Sequence, residues 1–232
     1  MDLFRDDPMA SPLTYPGRVP DASGVLVDGA YLPLAESGEA MAGRHPVVAV
    51  GSNAAPGQLW RKFAGHAIRP VVPMTRADVV GVVPGVSAHV SRWGYVPAAP
   101  VAVPGEVSRL FVLWLDDRAL AALDLTEPNY RRRRLPADRH PVTLESGARL
   151  PWCFAYVGRH GCLTDGRGRP RRLVAQPELI RSLLEESPEL RRLCGDTPEE
   201  FVVRVRDETV RDAVRRLFLA QRRVLRVAGD SW

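Results

Sequence analysis

The chain has 232 residues, 45% of them apolar and 25% charged, which is the composition of an ordinary globular protein able to bury a core without disulfide or metal staples. No stretch approaches the roughly 18 apolar residues of a membrane span. The net charge of +5 rests almost wholly on arginine, with Lys62 the only lysine, and 27 acids are spread among the basic residues. That mixture reads as an arginine bias across the whole chain more than as a nucleic-acid footprint.

Residues 1–20 contain several prolines and little periodicity, and read as a loose arm. Residues 24–34 (GVLVDGAYLPL) place Asp28-Gly29 between two apolar runs, a short-range hairpin signal. Residues 38–44 read as a loop. The run HPVVAVG at 45–51 is too short for a helix and ends in Gly51-Ser52-Asn53, so it reads as a buried strand closing in a sharp turn. A short helix is expected over 56–63. Residues 67–103 are rich in Val and Pro and are expected to form short strands and loops, since prolines argue against long regular elements. GEVSRLFVLWL at 105–115 is a strand. DDRALAALD at 116–124 is a short helix with acids at its start, where the helix dipole favours them. Two strands around the turn Ser146-Gly147 follow, over 141–145 and 149–157. The segment GRHGCLTDGRGRPRR at 158–172 reads as a mobile basic loop. Beyond it the pattern is helical, broken at Ser187-Pro188 and restarted by the capping box Thr197-Pro198-Glu199-Glu200. A long amphipathic helix or helix pair is then expected to about Arg226.

The three cysteines, Cys153, Cys162 and Cys194, are odd in number, widely spaced and without a CxxC pair. They predict neither a disulfide framework nor a zinc site, and free thiols suit a reducing compartment. The opening residues lack the basic start and apolar run of a signal peptide, so the expected location is cytoplasmic.

Three places can carry chemistry. At Gly51 the backbone can approach a ligand closely, and a following helix would aim free N–H groups at the same point, although a glycine turn after a strand is commonly just a turn. In LDLTEPNYRRRR at 123–134, Pro128 disfavours helical geometry at Glu127, which puts that carboxylate at a fixed bend. A carboxylate so placed can be aimed into a cavity for proton transfer, or can be a plain surface group. Arg131–Arg134 would alternate faces if extended. Tyr156 closes a strand beside a glycine, as a core aromatic with a polar tip or as a site hydroxyl.

The order of these pieces (VGSN turn, a strand opening PGEV, LxxLDxxE, YxR, then a strand ending AYV) resembles the γ-glutamylcyclotransferase-like superfamily, which includes AIG2-like and γ-glutamylamine cyclotransferases. The resemblance covers roughly residues 46–158. It implies an α+β fold, a small mixed-strand β-barrel flanked by helices. The arm would span 1–20, the barrel domain 21–175, and a helical extension packed on the same domain 176–232. It implies Glu127 as the catalytic acid–base residue, with Val50, Gly51, Ser52, Asn53, Tyr130 and Tyr156 binding substrate. The chain departs from the family pattern at Val50, where the family has an aromatic residue, at Pro128, where it has glycine, and in the short spacing from Glu127 to Tyr130. The segment at 89–100 (HVSRWGYVPAAP) has no family role and is expected to line or cover the cavity.

The implied activity is that of a transferase or lyase: the α-amine of a γ-glutamyl group attacks its own γ-carbonyl, releasing 5-oxoproline and an amine or amino acid. It requires no metal and no other cofactor, and its partner is a small γ-glutamyl substrate, not nucleic acid or membrane. Two other readings fit the sequence: a non-catalytic small-ligand-binding module on the same fold, and an anion- or RNA-binding protein using Arg131–Arg134 and Arg167–Arg172.

Overall fold

The computed structural model describes residues 2–34 and 41–226. It is an α+β fold in which one large mixed sheet carries helices around it, with further helices at the C-terminal end. The strands are β1 (Gly24–Val27), β2 (Ala30–Pro33), β3 (His45–Ala49), β4 (Val72–Val86), β5 (Ala98–Leu115), β6 (Tyr130–Pro136), β7 (Val142–Leu144), β8 (Arg149–Leu150) and β9 (Trp152–Gly158). Their pairing runs β2-β1-β4-β5-β3-β9-β6, with β7 added to β4 and β8 to β7. The β3–β9 pair is parallel and the other pairs are antiparallel. A separate pair joins β10 (Cys162–Leu163) to β11 (Val224–Leu225).

Alternation along the strands builds two apolar layers. Val47 and Ala49 of β3 point into one with Met74, Phe111, Leu113 and the helix residues Leu59, Phe63 and Leu123. Val48 points into the other with Ala77, Val112, Trp114 and Ala155.

The helices are α1 (Pro56–Gly65), α2 (Asp117–Leu125), α3 (Gln176–Glu186), α4 (Pro188–Cys194), α5 (Pro198–Arg204) and α6 (Glu208–Ala220). Asp116 caps α2, Ser187 caps α4, and Thr197 with Glu200 forms the capping box of α5, as their side-chain spacing requires. The expected run to Arg226 is divided at residues 205–207, where Asp207 caps α6 with bonds from the Thr209 and Val210 N–H groups. Helices α3–α6 share one apolar cluster with Val86, Ala88, Val90 and Val96 of the sheet side and with Leu13 of the N-terminal segment.

Four expectations are corrected. Residues 67–103 hold long strands, not short ones: β4 has 15 residues and β5 has 18, and they pair along most of their length. Prolines are tolerated because Pro84 lies opposite Pro100, at a position of the ladder where neither residue needs an N–H. Gly81, at φ +76°, absorbs a register shift between Val80 and Val82.

The N-terminal segment is not loose. Arg61 donates to the carbonyls of Phe4 and Asp6, Gln58 donates to Asp6, and Tyr15 is 5% exposed.

The segment at 158–172 is pinned as well. Cys162 and Leu163 are buried, Asp165 accepts from the Arg167 and Arg169 N–H groups, and Arg171 reaches Ser182 and Glu186. Lastly, residues 224–225 form a strand where helix was expected. The loop expected over 38–44 lies partly outside the described residues. The hairpin at Asp28-Gly29 forms as expected, with both residues at positive φ.

Candidate active site

Three structural devices converge on one cavity of 810 Å³. The first is the exit of β3. Residues 52–54 make a short 3₁₀ turn that delivers the chain into α1. A side chain on Gly51 would meet the Ala98 Cβ and the Tyr15 hydroxyl, each 2.7 Å from the position of its first carbon, so only glycine lets the three segments close up.

The second is the bend after α2. Thr126 caps the helix by donating to the Leu123 carbonyl, the Glu127 N–H donates to Asp124, and the Tyr130 N–H donates back to Glu127. The bend is held further by His160, bonded to the Asn129 side chain, and by the Arg159 Nε on the Tyr130 carbonyl. Glu127 is thereby fixed, 9% exposed, in the cavity wall.

The third is α1 itself. It carries Lys62 on the side facing the bend, and Lys62 Nζ lies 2.6 Å from Glu127 Oε1. Asn53 Nδ2 donates to the same oxygen at 2.9 Å, and Lys62 also donates to Asn53 Oδ1 at 2.6 Å, closing a three-membered ring of polar contacts. Among the described residues, Glu127 Oε2 has no hydrogen-bond partner.

Around this ring stand three phenols. Tyr15 and Tyr95 stack at 4.3 Å. The Ala98 N–H donates to the Tyr15 hydroxyl at 2.9 Å. Tyr130 donates to the Ala98 carbonyl at 2.7 Å. Burial raises all three phenol pKa values, Tyr95 to about 12, and the Glu127 charge adds to the rise in each. They are neutral donors at any physiological pH. Edge-on to the Tyr130 ring at 6.5 Å, His89 bonds the Ser87 hydroxyl at 2.7 Å and lies 4.3 Å from the His160 ring. Burial, then His160 and Arg215, lower the His89 pKa to about 3, so its imidazole is neutral.

Of the residues expected from sequence, Ser52, Glu127 and Tyr130 line the cavity, and Asn53 touches Glu127 directly. Gly51 sits behind Tyr15. Val50 is turned away and packs beside the second apolar layer. Tyr156 also stands apart: its hydroxyl donates to Asp124 Oδ1 at 2.8 Å, and Arg132 holds the same carboxylate with two bonds. Tyr156 therefore braces α2 from below and does not line the cavity.

The segment at 89–100 contributes His89, Val90, Ser91, Arg92, Trp93, Tyr95 and Pro97 to the lining. Sequence reasoning passed over Tyr15, Lys62 and His160 as site residues, and placed His89 and Tyr95 only within the segment expected to line or cover the cavity. For Lys62 there was a signal, since one lysine in an arginine-biased chain is a choice of a compact point charge over a planar fork. Among the described residues no group of His, Cys, Asp and Glu is arranged to hold a metal. No helix among them is long and apolar enough to cross a membrane.

Arg131–Arg134 lie on β6, all exposed, at the end of the pairing path. Arg132 pairs with Asp124 and covers Phe154, and Arg134 covers Trp152. The alternation expected from an extended chain places Arg132 and Arg134 on the face that carries Phe154 and Trp152.

No family model and no curated protein matches the chain. Similar solved structures include a gamma-glutamyl cyclotransferase, 12% identical over 74% of this chain and 98% of that one, with a TM-score of 0.42. The Arabidopsis thaliana protein At5g39720.1 is 15% identical over 62% of this chain and 85% of its own length, with a TM-score of 0.39. A second Arabidopsis thaliana protein, At3g28950.1, is 16% identical over 49% of this chain, which spans 61% of that protein, with a TM-score of 0.37. The chain is thus similar in backbone arrangement, at low identity, to a gamma-glutamyl cyclotransferase and to two Arabidopsis proteins.

Proposed function

We propose that the chain is a γ-glutamyl cyclotransferase-type enzyme with Glu127 as its acid–base residue. The observation that carries the reading is the state of the Glu127 carboxylate. One oxygen is anchored by Lys62 and Asn53, and the other is unengaged in a cavity large enough for a whole small-molecule ligand. A base must be held still and yet have a free lone pair, and this arrangement supplies both.

In the reaction, Glu127 takes a proton from the substrate's α-ammonium. The freed amine attacks the γ-carbonyl carbon of the same molecule, forming the lactam C–N bond and a tetrahedral oxyanion. Protonated Glu127 then returns the proton to the departing nitrogen as the original C–N bond breaks and the oxyanion collapses to the lactam carbonyl, and the ring nitrogen gives up its second proton through the regenerated Glu127 carboxylate to the released amine, which leaves as its ammonium. The products are 5-oxoproline and an amine. Because attack is intramolecular, holding the substrate folded supplies much of the acceleration. The Tyr15 hydroxyl takes a backbone N–H itself and keeps its own proton for donation. In this reading a phenol, in place of bare backbone at Ser52, meets the substrate's carboxylate or the oxyanion.

The test is release of 5-oxoproline from a panel of γ-glutamyl amines, γ-glutamyl amino acids and glutathione, with wild type and Glu127→Gln side by side. Turnover by wild type and a loss of about 100- to 10,000-fold in the variant are expected. Equal rates would remove Glu127 from the chemistry. No turnover of any member by wild type, with Glu127 still in the cavity wall, would favour the binding-module reading.

A further inference from the structure

The cavity is far larger than a γ-glutamyl group requires, and its charges are unevenly balanced. At the Glu127 end every charge is matched: Lys62 pairs with Glu127, and Arg61 lies 3.8 Å from Asp7. The rest of the lining holds Arg92, Arg211 and Arg215, against the single acid Asp212. Among the described residues none of these three arginines has an ion pair. Arg92 lies over the Trp93 ring, and Arg211 gives its Nη1 to the carbonyls of Val205 and Arg206 while its charge also acts on Asp207. The two arginines of α6 reach the cavity because the helical extension packs against the sheet side through Val214 and Phe218.

Beside them, the His160 Nδ1 is buried without a hydrogen-bond partner, while its Nε2 bonds the Asn129 side-chain oxygen Oδ1. That bond leaves Nδ1 as an acceptor, suited to an N–H brought in by a ligand. The region offers an excess of positive charge together with an unsatisfied acceptor for a neighbouring amide.

We propose that this region is an anion subsite, and that the portion of the substrate beyond the γ-amide carries two negative charges. The identification of that portion as the leaving group rests on the cyclotransferase reading. The subsite itself rests on the arginines. Either two carboxylates or one phosphate monoester supplies the required chemistry.

The experiment uses N-acetyl-γ-glutamyl compounds, whose blocked amine cannot cyclise, so that binding is measured whether or not the chain is an enzyme. The amides of ethylamine, alanine, glutamate and phosphoethanolamine carry zero, one, two and two charges beyond the amide. Calorimetry with the full chain should show affinity rising about tenfold from the neutral to the doubly charged members, at two- to fivefold per exposed charge pair. Comparison of the glutamate and phosphoethanolamine members identifies which dianion is preferred. Arg92→Gln with Arg215→Gln, both exposed positions, should flatten the series while leaving the unfolding midpoint near that of wild type.

Equal affinity across the series, no binding by any member, or an unchanged gradient in the double variant would overturn the subsite. The unblocked compounds are assayed in parallel for 5-oxoproline. A charge gradient without release sinks the cyclotransferase reading and keeps the subsite. Release without a gradient does the reverse.

Discussion

The Lys62–Glu127 pair makes a quantitative demand on the fold. The two atoms are 2.6 Å apart, with side-chain exposures of 22% and 9%. At an effective dielectric near 20, Coulomb's law gives roughly 6 kcal/mol at that separation. Desolvating the two charges offsets most of it, and a coupling of about 1–3 kcal/mol is expected to survive between contacting residues of one network. The perturbation is a double-mutant cycle of Glu127→Gln, Lys62→Met and the two together. Glu127→Gln keeps a hydrogen-bonding group beside Asn53 but leaves the ammonium without its counter-charge. Lys62→Met keeps the aliphatic stem and leaves the carboxylate with Asn53 alone. Each single variant should lose stability by more than half of what the pair loses together, because the second substitution removes a group already orphaned by the first. The assay is urea unfolding of all four proteins at pH 7, followed by fluorescence. A coupling below about 0.3 kcal/mol would mean that the two charges are independent, and would refute the picture of Glu127 as an anchored carboxylate.

Other outcomes follow from single contacts. Gly51→Ala puts a carbon 2.7 Å from both Ala98 and the Tyr15 hydroxyl, and overpacking of that kind should cost about 1–3 kcal/mol in denaturant titration. Tyr15→Phe keeps the stack on Tyr95 but strands the Ala98 N–H in the interior. A loss of about 1–3 kcal/mol is expected, and an unchanged midpoint would show that the phenol is no anchor. His89, whose folded pKa is held at about 3, binds its proton more readily in the unfolded chain. Its contribution is therefore fully present above pH 6.5 and is lost as pH falls from there toward 3, by up to roughly 1.4 kcal/mol per pH unit. The slope of stability against pH between 4 and 6 should be shallower in His89→Asn than in wild type, and parallel slopes would show that His89 does not set it.

Local chemistry made several elements legible from the sequence alone. The Asp28-Gly29 hairpin, the buried strand before Gly51, the short helix that starts at the acids Asp116 and Asp117, the caps at Ser187 and Thr197, and the fixed bend at Glu127 each follow from residues within a few positions of one another. The order of those local signals also pointed to Glu127 and to the turn at residues 51–53, which the fold brings to hydrogen-bond distance. Sequence could not show that β4 and β5 would run long through their prolines, because that depends on Pro84 meeting Pro100 across the ladder. Nor could it reveal that Tyr15 would leave an apparently loose arm to lie against Gly51, or that Tyr156 would turn to Asp124. Those outcomes depend on contacts 36, 83 and 32 residues apart in sequence, fixed only when the layers close. Lys62 was visible as the only lysine, but its role was not, since a cation's meaning lies in the carboxylate that the tertiary structure sets beside it.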